Sequence, residues 1–259
     1  MPELPSVEVY KQYFDSCSLN QIIKSVNFES KEILTEKPAR FRKVLDGRWF
    51  TSSGRYGKYL FAHLDNGYSF IMHFGMTGFL EYDSIPLRNP YSRFSIHFQN
   101  KHVLAFIDPR KFGKIGLTRS IDDFITKKKL GPDALDISYQ SFKEIFKKRR
   151  GMLKPLLLNQ NFIAGIGNLY ADEILYQSRL HPLIPADKLK PSQIKKLFSS
   201  TKKVLKKAID YMDKPENLPD SYLLPHRYIG GECPCGGKIN IIKVGGRTTY
   251  FCPECQKSL

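Results

Sequence analysis

The chain has 259 residues, 41% of them apolar and 13% aromatic, which is enough to bury a sizeable core and to build two domains. That composition excludes a disordered chain, and no run approaches the roughly eighteen consecutive apolar residues a membrane span needs. Lys plus Arg total 41 against 25 Asp plus Glu, a net charge of +16, which favours a polyanionic partner, nucleic acid being the commonest. The sequence opens without a basic segment followed by an apolar run, so a soluble, intracellular protein is expected.

In chain order, Met1-Pro2-Glu3-Leu4-Pro5 comes first. A small second residue favours removal of Met1, which exposes the secondary amine of Pro2. An ordinary α-amino group titrates near about 7.7–8.0, so roughly a tenth to a fifth is neutral at pH 7. Such an amine can attack an electrophilic sugar carbon and form an imine, and the adjacent Glu3 can protonate a leaving oxygen or shuttle a proton. The same Pro-Glu pair also suits the plain capping of a helix start. Residues 5–17 read as that helix, carrying Cys17 as a lone thiol.

A β-rich region follows. Tyr59 to Leu64 and Tyr68 to Phe74 flank Asp65-Asn66-Gly67, and Phe94 to Phe98 and His102 to Ile107 flank Gln99-Asn100-Lys101; both are hairpin signals. Short strands with regular turns predict a sandwich or barrel. Gly54-Arg55-Tyr56-Gly57-Lys58-Tyr59 places a lysine and glycines at a strand entry, where backbone can approach a phosphate. Asp108-Pro109-Arg110-Lys111-Phe112-Gly113 offers a guanidinium and an aromatic for a base edge and a base stack; a surface turn with a core phenylalanine fits equally.

The pattern changes near residue 120. Ser141 to Arg150 reads as a helix ending in Lys147-Lys148-Arg149-Arg150. Ala164-Gly165-Ile166-Gly167-Asn168 is a glycine turn opening a helix over Leu169–Gln177, a phosphate-binding geometry or simply a tight helix–helix turn. From Ser192 to Met212 a helical stripe includes Ile194, Leu197, Leu205 and Ala208, with Ser192 as N-cap after Pro191. Its six lysines read as a solvated face more readily than as a binding surface. Last, Cys233-Pro234-Cys235, sixteen intervening residues, then Cys252-Pro253-Glu254-Cys255 has the spacing of a four-thiolate zinc site, with free or redox-active thiols as the alternative. Between the pairs, Ile239–Val244 and Arg247–Phe251 flank Gly245-Gly246 as a hairpin.

Taken together, these residues resemble the formamidopyrimidine-DNA glycosylase family, which includes the endonuclease-VIII-type enzymes; the motifs run in order from residue 2 to residue 255. The resemblance implies an α+β multidomain fold: an N-terminal β-sandwich with an N-terminal helix, then a helix–two-turns–helix domain with a zinc-finger β-hairpin. The boundaries expected are 1–120 for the catalytic sandwich, 121–140 for a linker, 141–220 for the helical DNA-binding domain and 221–259 for the zinc-finger hairpin. It further implies Pro2 as imine-forming nucleophile, Glu3 as proton donor, Lys58 as second catalytic lysine and Arg247 in the second elimination. Met76 would fill the gap left by a flipped base, while Arg110 and Phe112 would read the orphaned base and wedge the duplex. Lys154, Asn168 and Arg247 resemble phosphate-binding residues, and His73, Tyr91, Arg149 and Glu173 join the expected DNA-binding set. One structural Zn2+ would sit on Cys233, Cys235, Cys252 and Cys255.

The function implied is a bifunctional DNA glycosylase/AP lyase acting on oxidised purines in damaged double-stranded DNA, as a monomer away from membranes, in the cytoplasm or nucleoid. The alternatives are a lesion-binding protein with altered catalysis, or a preference for oxidised pyrimidines or abasic sites. Four departures bear on them. Ser6 stands where the family usually has glutamate, and Tyr91 where it often has histidine. The first cysteine pair has one spacer residue rather than two, and Lys214–Gly231 is short for the loop that covers a flipped purine.

Overall fold

Alternation along the strand carries Leu60, Ala62, Leu64, Phe70 and Met72 to one buried face, while Tyr59, Phe61, Ile71 and His73 point to the other. The computed structural model describes residues 1–84, 89–147 and 149–257; Lys148 of the basic run lies outside the described residues. Two units divide the chain, residues 1–2 with 6–128 and residues 3–5 with 129–257. Helix α1 (Leu4–Ser18) therefore begins with the second unit and continues in the first.

The first unit contains β1 (Ile23–Phe28), α2 (Pro38–Leu45), β2 (Phe50–Tyr56), β3 (Tyr59–Leu64), β4 (Ser69–His73), β5 (Phe79–Ser84), β6 (Ser92–Phe98), β7 (His102–Ile107), β8 (Lys114–Thr118) and α3 (Ile121–Lys127). Two antiparallel sheets form, in the orders β1-β6-β7-β5 and β2-β3-β4-β8. Both contribute to one core, into which α1 sends Val7 and Phe14; this is the expected sandwich. Phe70 of one sheet stacks on Phe94 of the other at 5.3 Å, and Phe41 of α2 meets both rings. On the outer face, Phe124 of α3 packs edge-on against Tyr59 and Phe61.

In the second unit are α4 (Tyr139–Lys147), α5 (Leu153–Leu158), α6 (Asn168–Ser178), α7 (Pro191–Asp210) and the hairpin of β9 (Asn240–Val244) and β10 (Arg247–Phe251). Ile166, Tyr170, Ile174, Leu197, Val204 and Leu205 are among its fully packed core residues. At Gly245 and Gly246 the backbone has φ of +56° and +74°, so a two-residue left-handed turn sets Arg247 opposite Val244 at the hairpin tip.

Two helix ends differ from expectation. Helix α4 is described over Tyr139–Lys147, and Arg149 and Arg150 are not helical; Arg149 donates Nε to the Ile145 carbonyl at 3.0 Å and lays its guanidinium over Phe162 at 3.6 Å. Helix α7 starts at Pro191, with Lys190 as N-cap in place of Ser192. Proline is pre-shaped for the first helical position, and Gln193 Oε1 accepts the Lys190 N–H at 2.8 Å. Among the described residues no helix is long and apolar enough to cross a membrane.

Phe94 joins both sheets of the sandwich, so Phe94→Ala is expected to cost about 3–5 kcal/mol in urea unfolding followed by circular dichroism. A loss under about 1 kcal/mol would show that the sheets are not held by this ring pair.

Candidate active site and metal centre

Every helix starts with N–H groups that have no partner inside the helix. Helix α6 has Gly167 as N-cap, which offers no side chain to satisfy them. Glu3 does so instead: its carboxylate accepts from Gly167 N at 2.8 Å, Leu169 N at 2.8 Å and Tyr170 N at 3.2 Å. The positive end of the helix dipole reinforces the negative charge held there. A side chain at Gly167 is excluded, since a Cβ would lie 2.3 Å from Glu3 Cδ. Gly165 has φ +112° and passes equally close to Leu4, whose N–H it binds through its carbonyl at 3.0 Å. The Gly-x-Gly turn, read in the sequence as a phosphate-binding geometry or a tight helix–helix turn, here receives the carboxylate of the protein's own Glu3. Pro2, one bond earlier, is half-buried, while Met1 is exposed.

In the first unit, a tight turn with Gly57 at φ +56° carries the half-buried Lys58 between β2 and β3. Burial, then the charges of Lys58 and Lys128, lower the His73 imidazole to about 4, so it is neutral at pH 7. Its Nδ1 accepts the Gly75 N–H at 3.3 Å, which leaves Nε2 as the donor. Tyr59, His73, Phe112, Lys114 and Phe124 help line a cavity of about 520 Å³.

Four of the expected residues lie on loops joined through one buried carboxylate. Met76, Tyr91, Arg110 and Phe112 are all exposed, and the Arg110 guanidinium lies 4.9 Å from the Phe112 ring centre. Their loops meet at Asp108, which is fully buried. Its carboxylate accepts from Thr77 Oγ1 at 2.6 Å, Arg110 N at 3.3 Å and Gly113 N at 2.7 Å. Its own N–H donates to the Tyr91 carbonyl at 2.9 Å, and Arg93 Nε donates to the Asp108 carbonyl at 2.8 Å. Gly75, at φ +59°, presses so closely on the Phe112 backbone that a Cβ would sit 2.5 Å from it. Sequence reasoning took Asp108 as merely the first residue of a turn; the hint was an aspartate ahead of Pro-Arg, since short carboxylates bind nearby backbone N–H groups.

The sulfurs of Cys233, Cys235, Cys252 and Cys255 all lie within 4.8 Å of one another, with 3.2 Å for Cys233–Cys235, 3.6 Å for Cys235–Cys252 and 3.7 Å for Cys233–Cys255. Zinc–thiolate bonds of about 2.3 Å in a tetrahedron put sulfurs about 3.8 Å apart, so the four cysteines could hold one zinc ion despite the short first pair. Four protein ligands leave no position for substrate, as a structural site requires.

Comparison with known proteins agrees with this arrangement. Residues 1–115 match the formamidopyrimidine-DNA glycosylase N-terminal domain and residues 130–216 the formamidopyrimidine-DNA glycosylase H2TH domain. Formamidopyrimidine-DNA glycosylase of Protochlamydia amoebophila is 34% identical over 99% of this chain and 100% of its own length. The chain belongs to the formamidopyrimidine-DNA glycosylase family. The Lactococcus lactis member in complex with FAPY-dG-containing DNA superposes with a TM-score of 0.91 at 30% identity, covering 99% of this chain and 100% of that one. The same figures hold for the Lactococcus lactis enzyme non-covalently bound to DNA containing an AP site.

Residues carried over from the family divide into exposed and buried groups. Arg247 is exposed at the hairpin tip, and Asn168 is half-buried with Nδ2 donating to the Thr248 carbonyl at 3.1 Å. Lys154 and Glu173, expected at DNA, are instead buried with no exposed surface. Lys154 Nζ meets Asp172 Oδ1 at 2.6 Å and Thr249 Oγ1 at 2.7 Å. Asp172 Oδ2 also accepts from Arg227 at 2.9 Å and from Tyr250 N at 3.2 Å. Burial alone pushes the Asp172 carboxyl up and the Lys154 ammonium down; their ion pair opposes both shifts. Lys154 thus ties the hairpin to α5 and α6 rather than facing a phosphate. Glu173 accepts from Leu224 N and Gln177 Nε2, both at 2.8 Å, and burial raises its carboxyl to about 7.

Two outcomes are expected. Asp108→Ala should speed hydrogen exchange at the amides of Arg110 and Gly113 while leaving the β3 and β7 amides protected; unchanged exchange would show the loops are held otherwise. Glu173 has a raised folded value, so the folded state binds more protons than the unfolded one between its ordinary range and about pH 7. Stability from this group is therefore present at pH 5 and lost by pH 8, and Glu173→Gln should flatten that decline in urea melts at the two pH values.

Proposed function

We propose that this chain is a bifunctional DNA glycosylase/AP lyase of base excision repair that removes oxidised purines, formamidopyrimidines and 8-oxoguanine, from double-stranded DNA. Membership of the formamidopyrimidine-DNA glycosylase family and the excess of positive charge support DNA as the partner. The observation that carries the catalytic reading is the Glu3 carboxylate bound by three backbone N–H groups, which fixes the residue next to Pro2.

Once Met1 is hydrolysed away, the neutral secondary amine of Pro2 attacks C1′ of a flipped-out nucleotide. The C1′–N bond breaks and the base leaves with the electron pair, taking up a proton. The C1′–O4′ bond then opens to an iminium while O4′ is protonated. Glu3, charged in its N–H cradle, takes a proton as the amine is freed and passes it to O4′. Loss of a C2′ proton expels the 3′ phosphate. A second elimination, assisted by Arg247 and Lys58, loses the C4′ proton and expels the 5′ phosphate, and water releases the sugar fragment from Pro2. The products are a one-nucleoside gap bordered by phosphates and the free enzyme.

Met76, Arg110, Tyr91 and Phe112 form the reading face: apolar side chains enter the base stack and the guanidinium bonds the orphaned base. Neutral His73 offers a phosphate one N–H, with Asn168, Arg247 and Arg149 as further donors. The protein would act as a monomer in the cytoplasm or nucleoid. Ser6 favours a second reading within the same fold, an altered lesion spectrum, because it leaves one carboxylate fewer near the amine. A cleavage panel over 8-oxoguanine, formamidopyrimidine, oxidised-pyrimidine and abasic duplexes separates the two.

Borohydride should trap the mature protein covalently on abasic DNA, and Pro2→Gly should reduce the adduct by at least an order of magnitude. No adduct from protein whose Met1 removal is verified by mass spectrometry would overturn the enzymatic reading.

A further inference from the structure

Tyr176, on the third turn of α6, is 3% exposed, and its hydroxyl lies 3.2 Å from Sγ of Cys233, itself 3% exposed. The two share a small apolar cluster with Leu223, Ile239 and Cys252. A divalent ion held by four thiolates carries a net charge of about −2, which a partly buried site tolerates only when hydrogen-bond donors face the sulfurs. Backbone donors serve two of them: Gly237 for Cys235, and Glu254 and Cys255 for Cys252. The residue between Cys233 and Cys235 is Pro234, which has no N–H to give. Shortening the first knuckle to one residue, and making that residue proline, removes a place from which its own backbone could serve the sulfurs.

We propose that the Tyr176 hydroxyl donates a hydrogen bond to the metal-bound Cys233 thiolate, so that helix α6 supplies a positioning residue to the metal centre. The inference rests on the four cysteines holding zinc. A ligating thiolate has no proton, so with metal bound the hydroxyl alone can donate. Arg179, at the left-handed C-cap of α6, lies 5.3 Å over the Tyr176 ring and brings a positive charge to the same side. Neutralising one thiolate lowers the repulsion among the four and weakens its tendency to recapture a proton and leave the ion.

The test compares the full chain with Tyr176→Phe, which keeps the ring and removes one oxygen. Native mass spectrometry should show one zinc on each at saturation. Competition with a chelator should show zinc affinity lowered about ten- to a hundredfold in the variant. With cobalt(II) in place of zinc, the thiolate-to-metal charge-transfer band should move to longer wavelength, because a sulfur freed of its hydrogen bond gives up an electron more readily. Ile239→Val, which trims the same cluster, should lower the melting temperature while leaving affinity and band position unchanged. If the unaltered chain binds no metal, the zinc reading falls and this inference with it. If it binds one zinc and Tyr176→Phe matches it in affinity and cobalt spectrum, the tyrosine is packing alone and only this inference is overturned.

Discussion

The capping of α6 by Glu3 is the constraint from which the rest of the second unit can be understood. A carboxylate with 2% exposure is costly unless each oxygen is bonded, and here the helix end supplies the N–H groups it would otherwise leave orphaned. Each group resolves the other's cost. Chain termini ordinarily fray; this one is tied at its third residue to the start of a core helix. For the proposed chemistry the consequence is entropic: an amine one residue from a fixed anchor searches little space before it reaches a sugar carbon.

The same helix distributes that order. Asn168, Asp172 and Tyr176 are spaced by four, so they lie in a row along one face. Asn168 holds the Thr248 carbonyl, Asp172 holds Tyr250 N with Lys154 and Arg227, and Tyr176 reaches Cys233. Glu173 and Gln177, one position further round, form a second row that binds Leu224 N and the Ser221 carbonyl. The hairpin with Arg247 at its tip is therefore tied to α6 by polar groups, beside the burial of Val244 and Phe251. A buried ion pair such as Lys154–Asp172 is weak ground for stability, since desolvation offsets much of its attraction.

How much of this could be read beforehand follows from where each strand sits. The strands visible from alternation and turn residues are β3, β4, β6 and β7, the inner members of the two sheets. Those missed, β1, β2, β5 and β8, are the four edges. An edge strand pairs on one side only and carries polar residues, as in Phe-Thr-Ser-Ser-Gly-Arg-Tyr of β2 and Phe-Leu-Glu-Tyr-Asp-Ser of β5, so its periodicity is diluted. Helix α5 was hidden by Pro155, which reads as a breaker but falls in the first turn, where proline is tolerated. Of the site, the cysteine spacing and the turn with Arg110 and Phe112 were legible locally, and Met76 only through the family resemblance. The Asp108 knot and the burial of Lys154 and Glu173 were not, because they depend on partners remote in sequence.

Ser6 shows why a departure from the family pattern need not disable the proposed chemistry. A carboxylate near an amine stabilises the ammonium and holds the nitrogen protonated. A hydroxyl in its place carries no charge to do so. Glu3 keeps a carboxylate whose oxygens accept from three helix N–H groups. A proton passed to it must disturb that cradle, so the relay is uphill by the strength of those bonds and reverses readily toward O4′. In the proposed chemistry the substitution removes one acceptor that could have helped hold a damaged base. Altered lesion choice with intact imine chemistry is the combination these charges support.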